Sequence, residues 1–235
     1  MNFLSLLYHD VIYRPILNLL VGLHNVIPGH DIGLVIILVT ILIRLILAPS
    51  FHKSLSSQKA MNDLQPKMNA VREKYKDDKE AQARAVMELY KEHKINPLSS
   101  CLPMLIQLPI LIGLYQVFRT ALGNKDITGL YSFVHKPEAI NALFLHAINL
   151  GKPNIVFAIL AGLVQFWQSK MMMPKTAGSD ATAQVMAVQT TYILPLFTIF
   201  IAWRLPAGLP LYWIVTTLFA VGQQYYIMRK QPASK

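Results

Sequence analysis

Long apolar stretches separated by polar segments dominate this chain and predict its elements. A helix needs about 20 consecutive apolar residues to cross the hydrocarbon core of a bilayer. The third stretch is short for that purpose, which implies a thinned bilayer or a wet surface beside it. The pattern predicts an all-α fold, that of a polytopic membrane protein with five transmembrane helices over residues 30–50, 97–118, 154–170, 185–203 and 204–228, the last including the outer turn that precedes it.

Residues 1–29 precede the first span and show amphipathic helical spacing. Apolar residues recur every three or four positions, while Asp10, Arg14 and Asn18 step by four along another face. This pattern predicts a helix that lies in the membrane interface. The alternative is a sixth span over residues 2–23, which would place Asp10, Arg14 and Pro15 at mid-membrane.

The polar segment 51–96 predicts a cytoplasmic helical hairpin. Its apolar residues recur at spacings of three and four, as they do along a narrow seam between two antiparallel helices. Pro66 kinks or restarts the first helix, and residues 76–79 form the turn. The predicted seam consists of Met61, Leu64, Met68, Val71 and Tyr75 on the first helix and Val86, Tyr90 and His93 on the second.

Three shorter segments complete the predicted organisation. Residues 119–153 form an extracytoplasmic connector, with a further interfacial helix expected near residues 139–150. Residues 171–184 form a cytoplasmic loop, and residues 229–235 form a cytoplasmic tail.

Composition and charge fix the predicted orientation. The chain is 54% hydrophobic and only 14% charged, with a mean hydropathy of +0.39, whereas soluble domains have about 25% charged residues. Of the basic residues counted by predicted side, 15 lie on the side of the hairpin and the C-terminus and six on the other. Because Lys and Arg favour cytoplasmic loops, the N-terminus is predicted outside and the C-terminus in the cytoplasm. The net charge of +10 therefore indicates topology, and no DNA partner is expected.

Arg44 is the one charged side chain in the apolar run of residues 32–47. An arginine near the middle of a span costs roughly 2.5–3.5 kcal/mol on insertion scales, and it keeps its proton there. Two placements remain open: the side chain extends to the cytoplasmic headgroups, or it stays within the bilayer with water or a polar partner. No acidic residue lies in the interior of any predicted span to provide that partner.

Catalytic and cofactor chemistry is not indicated. The single cysteine, Cys101, excludes an internal disulfide and a cysteine-rich metal site. The histidines fall near interfaces or in loops, and no phosphate-binding Gly-rich loop is present. We therefore predict that the chain is not an enzyme and needs no cofactor. A transporter of a small polar solute or ion with a cationic midplane site remains the alternative function, although such proteins normally have midplane carboxylates or inverted repeats.

Several motifs resemble the YidC/Oxa/Alb membrane-protein insertases. They are LQP at residues 64–66, KYKDD at 74–78, LYKEH at 89–93, NPLSSCLPMLIQLPI at 96–110 and PAGLPLYWIV at 206–215. The resemblance covers roughly residues 10–230 and implies a short bacterial member, without a large periplasmic domain, in the plasma (inner) membrane. It also implies a five-helix core around a hydrophilic groove that opens to the cytoplasm and to lipid.

The same resemblance assigns site residues. Arg44 matches a groove arginine, Thr40 a groove-lining hydroxyl, and Gln165 a groove residue on the third span. Trp213, next to Tyr212, matches an aromatic at the lateral opening. From the residues alone, Tyr212 and Trp213 could equally belong to an aromatic belt at the outer leaflet.

The implied function is that of an insertase and chaperone that moves nascent membrane proteins from the ribosome or a Sec channel into the bilayer. The implied partners are nascent substrates, membrane lipids, the Sec translocon, and the ribosome with the signal recognition particle or its receptor at hairpin 52–94. We expect Arg44 to offer polar substrate segments a halfway site. Twenty apolar substrate residues would supply about −6 to −12 kcal/mol, so ATP is not required.

Overall fold

The computed structural model describes residues 3–96, 98–123, 127–173 and 181–230. Most of these residues are helical, which confirms the all-α fold class. In chain order the helices are α1 (Phe3–Tyr8), α2 (Arg14–Val26), α3 (Ile32–Asp63), α4 (Gln65–Lys74), α5 (Lys79–Glu92), α6 (Leu98–Ala121), α7 (Ile155–Met171), α8 (Ala181–Val188), α9 (Leu194–Ala202) and α10 (Gly208–Lys230).

Two π-helical turns connect helices that would otherwise break. His9–Tyr13 joins α1 to α2, and Gln189–Ile193 joins α8 to α9. In each case the second residue of the following helix is a proline, Pro15 or Pro195. Because proline has no N–H to donate, the backbone ladder must shift there, and a wider turn keeps the helix continuous.

Helix α3 is the longest helix in the described part of the chain. Asp31 caps its N-terminus, since its Oδ1 accepts hydrogen bonds from the amides of Gly33 and Leu34 at 2.8 and 3.1 Å. Its 32 residues extend about 48 Å at about 1.5 Å per residue, so α3 runs past the predicted span into the hairpin.

The five predicted spans differ in how well they satisfy the two criteria for a transmembrane helix, length and apolarity. Of the described helices, only α3 is both long and apolar enough to cross a membrane by these two criteria. Shorter apolar helices cover residues 105–121, 155–171 and 189–202. The count of five transmembrane helices stays a prediction.

Helices α4 and α5 form an antiparallel pair after α3. Leu64 follows α3 as its C-terminal cap, and Pro66 is the second residue of α4, so the helix restarts there. Leu64, Met68 and Tyr90 are buried together in a small apolar cluster, and the Tyr90 hydroxyl donates to Met68 Sδ at 3.3 Å. The apolar seam thus holds the two helices together.

The connector contains a β-hairpin where we expected an interfacial helix. Strands β1 (Leu143–Phe144) and β2 (Ile148–Asn149) pair antiparallel, so a helix near residues 139–150 is wrong. The tip residues Leu145 and His146 have φ angles of 50° and 58°, which no helix accommodates. The Leu145 amide donates to Asp31 Oδ2 at 2.6 Å, so a distant contact fixes the turn.

The polar face of the N-terminal helix docks on the connector. Arg14 lies 3.5 Å from Asp10, and its Nε donates to the Gly129 carbonyl at 3.1 Å. Asn18 donates to the same carbonyl at 3.2 Å and accepts from the Tyr131 amide at 2.7 Å. These contacts give Arg14 and Asn18 protein partners. The location of the helix in the membrane interface stays a prediction.

The apolar core fills one end of the helix bundle. It gathers α2, the first half of α3, the second half of α6 and the start of α10. Its fully buried members include Leu17, Leu20, Val35, Leu114 and Val117. On α3 the core ends near Val39, and most residues from Leu45 to Ser50 are at least partly exposed. By the predicted orientation, the packed end faces outward and the loosely packed end faces the cytoplasm.

Candidate functional site

Arg44 lies at the boundary between the packed and the loosely packed halves of α3. Its residue exposure is only 6%. The guanidinium carbon lies 4.3 Å from the ring centroid of Phe51, two turns later on the same helix. This cation–π contact is attractive, but it does not use the guanidinium N–H donors.

The Arg44 guanidinium has no anionic partner among the residues that the structure describes. Its Nη1 is buried and has no hydrogen-bond partner among the described residues. The ion pairs of Arg14 with Asp10 and of Arg84 with Glu80 lie elsewhere in the fold. A buried donor without a partner costs about 1–3 kcal/mol, and more when charged. The site therefore requires water or an incoming acceptor.

Thr40 lies one turn before Arg44 and is fully buried. Its hydroxyl donates to the Ile36 carbonyl of its own helix at 2.6 Å. With its proton so occupied, the Thr40 oxygen can only accept a further hydrogen bond. It can thus receive a hydrogen bond from a donor such as water.

Tyr212 links α10 to α6. It is 1% exposed on α10, and its hydroxyl accepts a hydrogen bond from Gln107 Nε2 of α6. Helix α10 also packs against α3, the helix that carries Arg44. Gln107 was missed by the sequence reasoning, although an isolated amide within an apolar span was a usable signal.

Trp213 and Gln165 lie apart from this contact. Trp213 is half-buried and packs on the edge of the apolar core. Gln165 is half-exposed on α7. Within the ranges that the structure covers, no hydrogen bond links either residue to Arg44. Their assignment to the groove stays a prediction.

Helix α10 adds polar groups that the sequence reasoning also missed. Thr216 Oγ1, Gln223 Oε1 and Gln224 Oε1 are buried without a hydrogen-bond partner in the described part of the chain. Their helix packs against α3 and α7. Buried polar atoms of this kind are normally satisfied by ordered water. These three residues and Arg44 are called the polar interior below (Arg44, Thr216, Gln223 and Gln224).

An open cavity of about 580 Å³ lies between α3 and α10, and it is large compared with the volume of about 30 Å³ that one water occupies. It begins one turn after Arg44, and Gln223 lies in its wall. It is lined by Ala48, Pro49, His52, Phe219, Gly222, Gln223 and Tyr226. By the predicted orientation, this cavity is on the cytoplasmic side, where water can enter.

The described residues contain no group of three or more His, Cys, Asp or Glu side chains that could hold a metal ion. The side chains at the site offer hydrogen bonds and one positive charge. One cation and several hydrogen-bonding groups lie beside a cavity with apolar walls. Such a site can receive a polar or anionic chain segment.

Comparisons with known proteins give a consistent family. The sequence model of the family described as "60Kd inner membrane protein" matches residues 22–234. A membrane protein insertase YidC of Fusobacterium nucleatum is 40% identical over 200 residues, which cover 85% of this chain and 87% of that protein. YidC proteins of Geotalea daltonii and Francisella tularensis are 36% and 40% identical over 204 and 202 residues.

The relatives differ in length. The match covers 87% of this chain and 35% of the Geotalea protein, and 86% of this chain and 33% of the Francisella protein. The chain thus spans about a third of these two relatives but most of the Fusobacterium protein. In all three cases the similarity includes most of the residues described above.

Proposed function

This chain belongs to the 60Kd inner membrane protein family, and from that premise we propose that it is a membrane protein insertase of the bacterial inner membrane. The observation that carries the proposal is Arg44, a buried cation whose Nη1 has no hydrogen-bond partner in the described residues. The curated relatives named above are called insertases. A buried guanidinium that still needs a hydrogen-bond acceptor fits a protein whose substrates carry polar segments across the bilayer.

The first step of the proposed mechanism is hydration of the polar interior. Water that enters through the cavity between α3 and α10 would solvate Arg44 and the amide oxygens of Gln223 and Gln224. This hydration lowers the cost of holding a charge within the bilayer, which is roughly 2.5–3.5 kcal/mol for a lipid-facing arginine. The core at the other end of the bundle excludes water from the outer side.

The second step is transient pairing with the substrate. A polar or acidic segment of a nascent protein would displace water and accept hydrogen bonds from the Arg44 guanidinium. Carboxylates pair with guanidinium groups in a bidentate geometry, which makes such contacts stronger than neutral hydrogen bonds. The pairing would stabilise the segment halfway across the membrane.

The third step is release of the substrate into lipid. The apolar residues of the substrate transfer into hydrocarbon at about −0.3 to −0.6 kcal/mol each, so a 20-residue segment supplies enough free energy without ATP. Exposed apolar side chains on α7 and α9, including Leu163 and Leu196, would border this route. These side chains carry no polar group that would hinder the transfer of an apolar substrate helix into lipid.

The hairpin of α4 and α5 is the proposed docking element for the ribosome, the signal recognition particle or its receptor. Its basic side chains are mostly exposed, including Lys67, Lys74 and Arg84. Basic groups on an exposed hairpin bind phosphate backbones and anionic surfaces in a salt-dependent manner. A Sec channel and membrane lipids are the further proposed partners.

Replacing Arg44 tests the proposal. We expect Arg44→Ala to slow insertion of a client with an acidic translocated segment about tenfold, which corresponds to about 1.4 kcal/mol in the barrier. The matched client, with its Asp and Glu residues changed to Asn and Gln, should lose much less. The measurement is the protease-protected fraction of each client after synthesis in proteoliposomes that contain the full chain.

Arg44→Lys serves as the control variant, because it keeps the positive charge but not the bidentate geometry. It should restore a large part of the insertion of the acidic client. Equal losses for both clients, or no loss for either, would contradict the role of the arginine. Absence of insertion by the wild-type chain, combined with uptake of a small polar solute, would favour the transporter instead.

A further inference from the structure

A second cavity lies at the junction of α3, the hairpin and α6. Its volume is about 330 Å³. None of its lining residues belongs to the polar interior or to the wall of the cavity between α3 and α10. The cavity, called the junction pocket below, is lined by Ser50, Lys53, Ser54, Asn96, Ser99 and Leu102.

The lining of the junction pocket suits an anion. It offers one ammonium group, from Lys53, and several hydroxyl groups, and the six lining residues include no carboxylate. Ser99 lies in the first turn of α6, which carries no acidic residue. The Ser99 amide itself donates to the Asn96 carbonyl at 3.1 Å, but the first turn of a helix still carries a partial positive charge that attracts anions. The positive charge of Lys53 and that of the helix start thus lie at one cavity.

Hydrogen bonds hold the walls of the pocket together. Ser99 Oγ donates to Ser57 Oγ at 2.7 Å, and Ser57 Oγ lies 3.3 Å from the Asn96 carbonyl. Ser54 is buried in the same wall. The serine side chains therefore keep the start of α6 against α3, which pre-forms the pocket before any ligand binds.

Apolar side chains continue from the pocket toward the membrane. Ile46, one turn before Ser50 on α3, is 73% exposed. On α6, Leu102 in the pocket wall is 42% exposed, and Leu105 is 62% exposed. A polar pocket with an exposed apolar strip on its membrane side has the layout of a phospholipid, in which a charged headgroup adjoins an acyl chain.

We propose that the junction pocket binds the headgroup phosphate of an anionic phospholipid. Lys53 pairs with the phosphate, the Ser50 hydroxyl donates a hydrogen bond to one of its oxygens, and an acyl chain lies along Ile46, Leu102 and Leu105. A free phosphate would use the polar groups equally well but would leave the apolar strip without a role. The strip therefore favours a lipid as the source of the phosphate.

Lipid binding by the full chain in detergent tests the proposal. Phosphatidylglycerol or phosphatidylcholine is titrated into the micelles, and native mass spectrometry counts the bound lipids. We expect one phosphatidylglycerol to be retained in preference to phosphatidylcholine. Lys53→Gln should weaken its binding about fivefold, the effect of roughly one basic residue near an anionic surface. Lys59→Gln, a charge change on the same helix outside the pocket, should leave the binding unchanged.

Two further measurements distinguish binding of a phospholipid headgroup from binding of a free phosphate. Glycerol 3-phosphate, added in excess, should compete weakly, because it has no acyl chain. A photo-crosslinking residue at position 102 should capture phosphatidylglycerol in vesicles, and Lys53→Gln should reduce the capture. Equal retention of both lipids, equal effects of the two lysine variants, or full displacement by glycerol 3-phosphate would overturn the proposal. None of these readouts involves insertion, so they are independent of the proposed function.

Discussion

Gly33 shows at the level of single residues how the connector is fitted to the membrane helices. A Cβ atom built at this position would lie 2.0 Å from the Phe144 ring of the β-hairpin. Only glycine allows the ring to pack so close to the start of α3. The hairpin is held at the same point by the hydrogen bond from Leu145 to Asp31. Gly33 is therefore a packing requirement.

Gly33→Ala should destabilise the protein by about 1–3 kcal/mol, the usual cost of forcing an extra methyl into a packed site. The matched control is Gly22→Ala on α2, where a Cβ would meet nothing within 4 Å. That change should be neutral or stabilising by about 0.5–1 kcal/mol, because alanine favours a helix interior. Thermal unfolding in detergent, followed by circular dichroism, measures both. Similar shifts for the two variants would contradict the packing argument.

His24 is a second residue whose environment has a measurable consequence. Its side chain is buried on α2, and neither ring nitrogen has a hydrogen-bond partner in the described ranges. Burial lowers the pKa of His24 below its ordinary value, and the charge of nearby His30 lowers it further. The folded protein therefore keeps His24 neutral at a pH where the unfolded chain takes up a proton.

Stability should consequently fall on acidification. Above about pH 6.5, the ordinary value for an unfolded histidine, His24 is neutral in both states and imposes no penalty. As the pH falls below that value toward the lower pKa of the folded state, the unfolded chain binds more protons and stability is lost. His24→Leu should reduce this pH dependence of the melting temperature between pH 7.5 and 5. His146→Leu, a change at an exposed histidine, should not alter it.

At the level of elements, apolar spacing predicted the helices, whereas it did not predict the contacts between distant segments. The hairpin helices and the restart at Pro66 follow from local patterns, because helical periodicity and proline chemistry act within a few residues. The β-hairpin at residues 143–149 was mispredicted, since a contact with Asp31 determines its tip. Tyr212 was named as a site residue, but its partner Gln107 lies 105 positions away. No local pattern encodes such a pairing.

The residues of the candidate site were also predicted only in part from the sequence. Arg44 could be found because a charge in an apolar run is visible in the sequence. Thr216 and Gln224 were not found, because a polar side chain on a span can face lipid, protein or water. Only the packing of α10 against α3 and α7 identifies them as buried.

For the whole molecule, the distribution of packing and charge predicts the orientation in the membrane. The apolar core lies at the end of the bundle that carries the β-hairpin, and the basic hairpin of α4 and α5 extends from the other end. Because basic segments stay in the cytoplasm, the β-hairpin should face outward. The N-terminal helix, which docks on the same connector, should share that side.

Thiol labelling checks this orientation. In a Cys101→Ser background, which removes the single cysteine, Leu145→Cys at the exposed tip of the β-hairpin should react with a membrane-impermeant maleimide in intact cells. Arg84→Cys on the exposed surface of α5 should react only after the membrane is permeabilised. The reverse pattern, or labelling of both positions in intact cells, would contradict the predicted topology.

Pro49 has a mechanical consequence for the arginine. It lies inside α3 and has no N–H, so the carbonyl of Leu45, the residue next to Arg44, loses its helical donor. A helix resists bending least where a backbone hydrogen bond is missing. A sideways force applied to the hairpin will therefore flex α3 beside Arg44, while the tightly packed outer half remains still. Motion of the cytoplasmic hairpin should therefore bend α3 at Pro49 and reorient the Arg44 side chain.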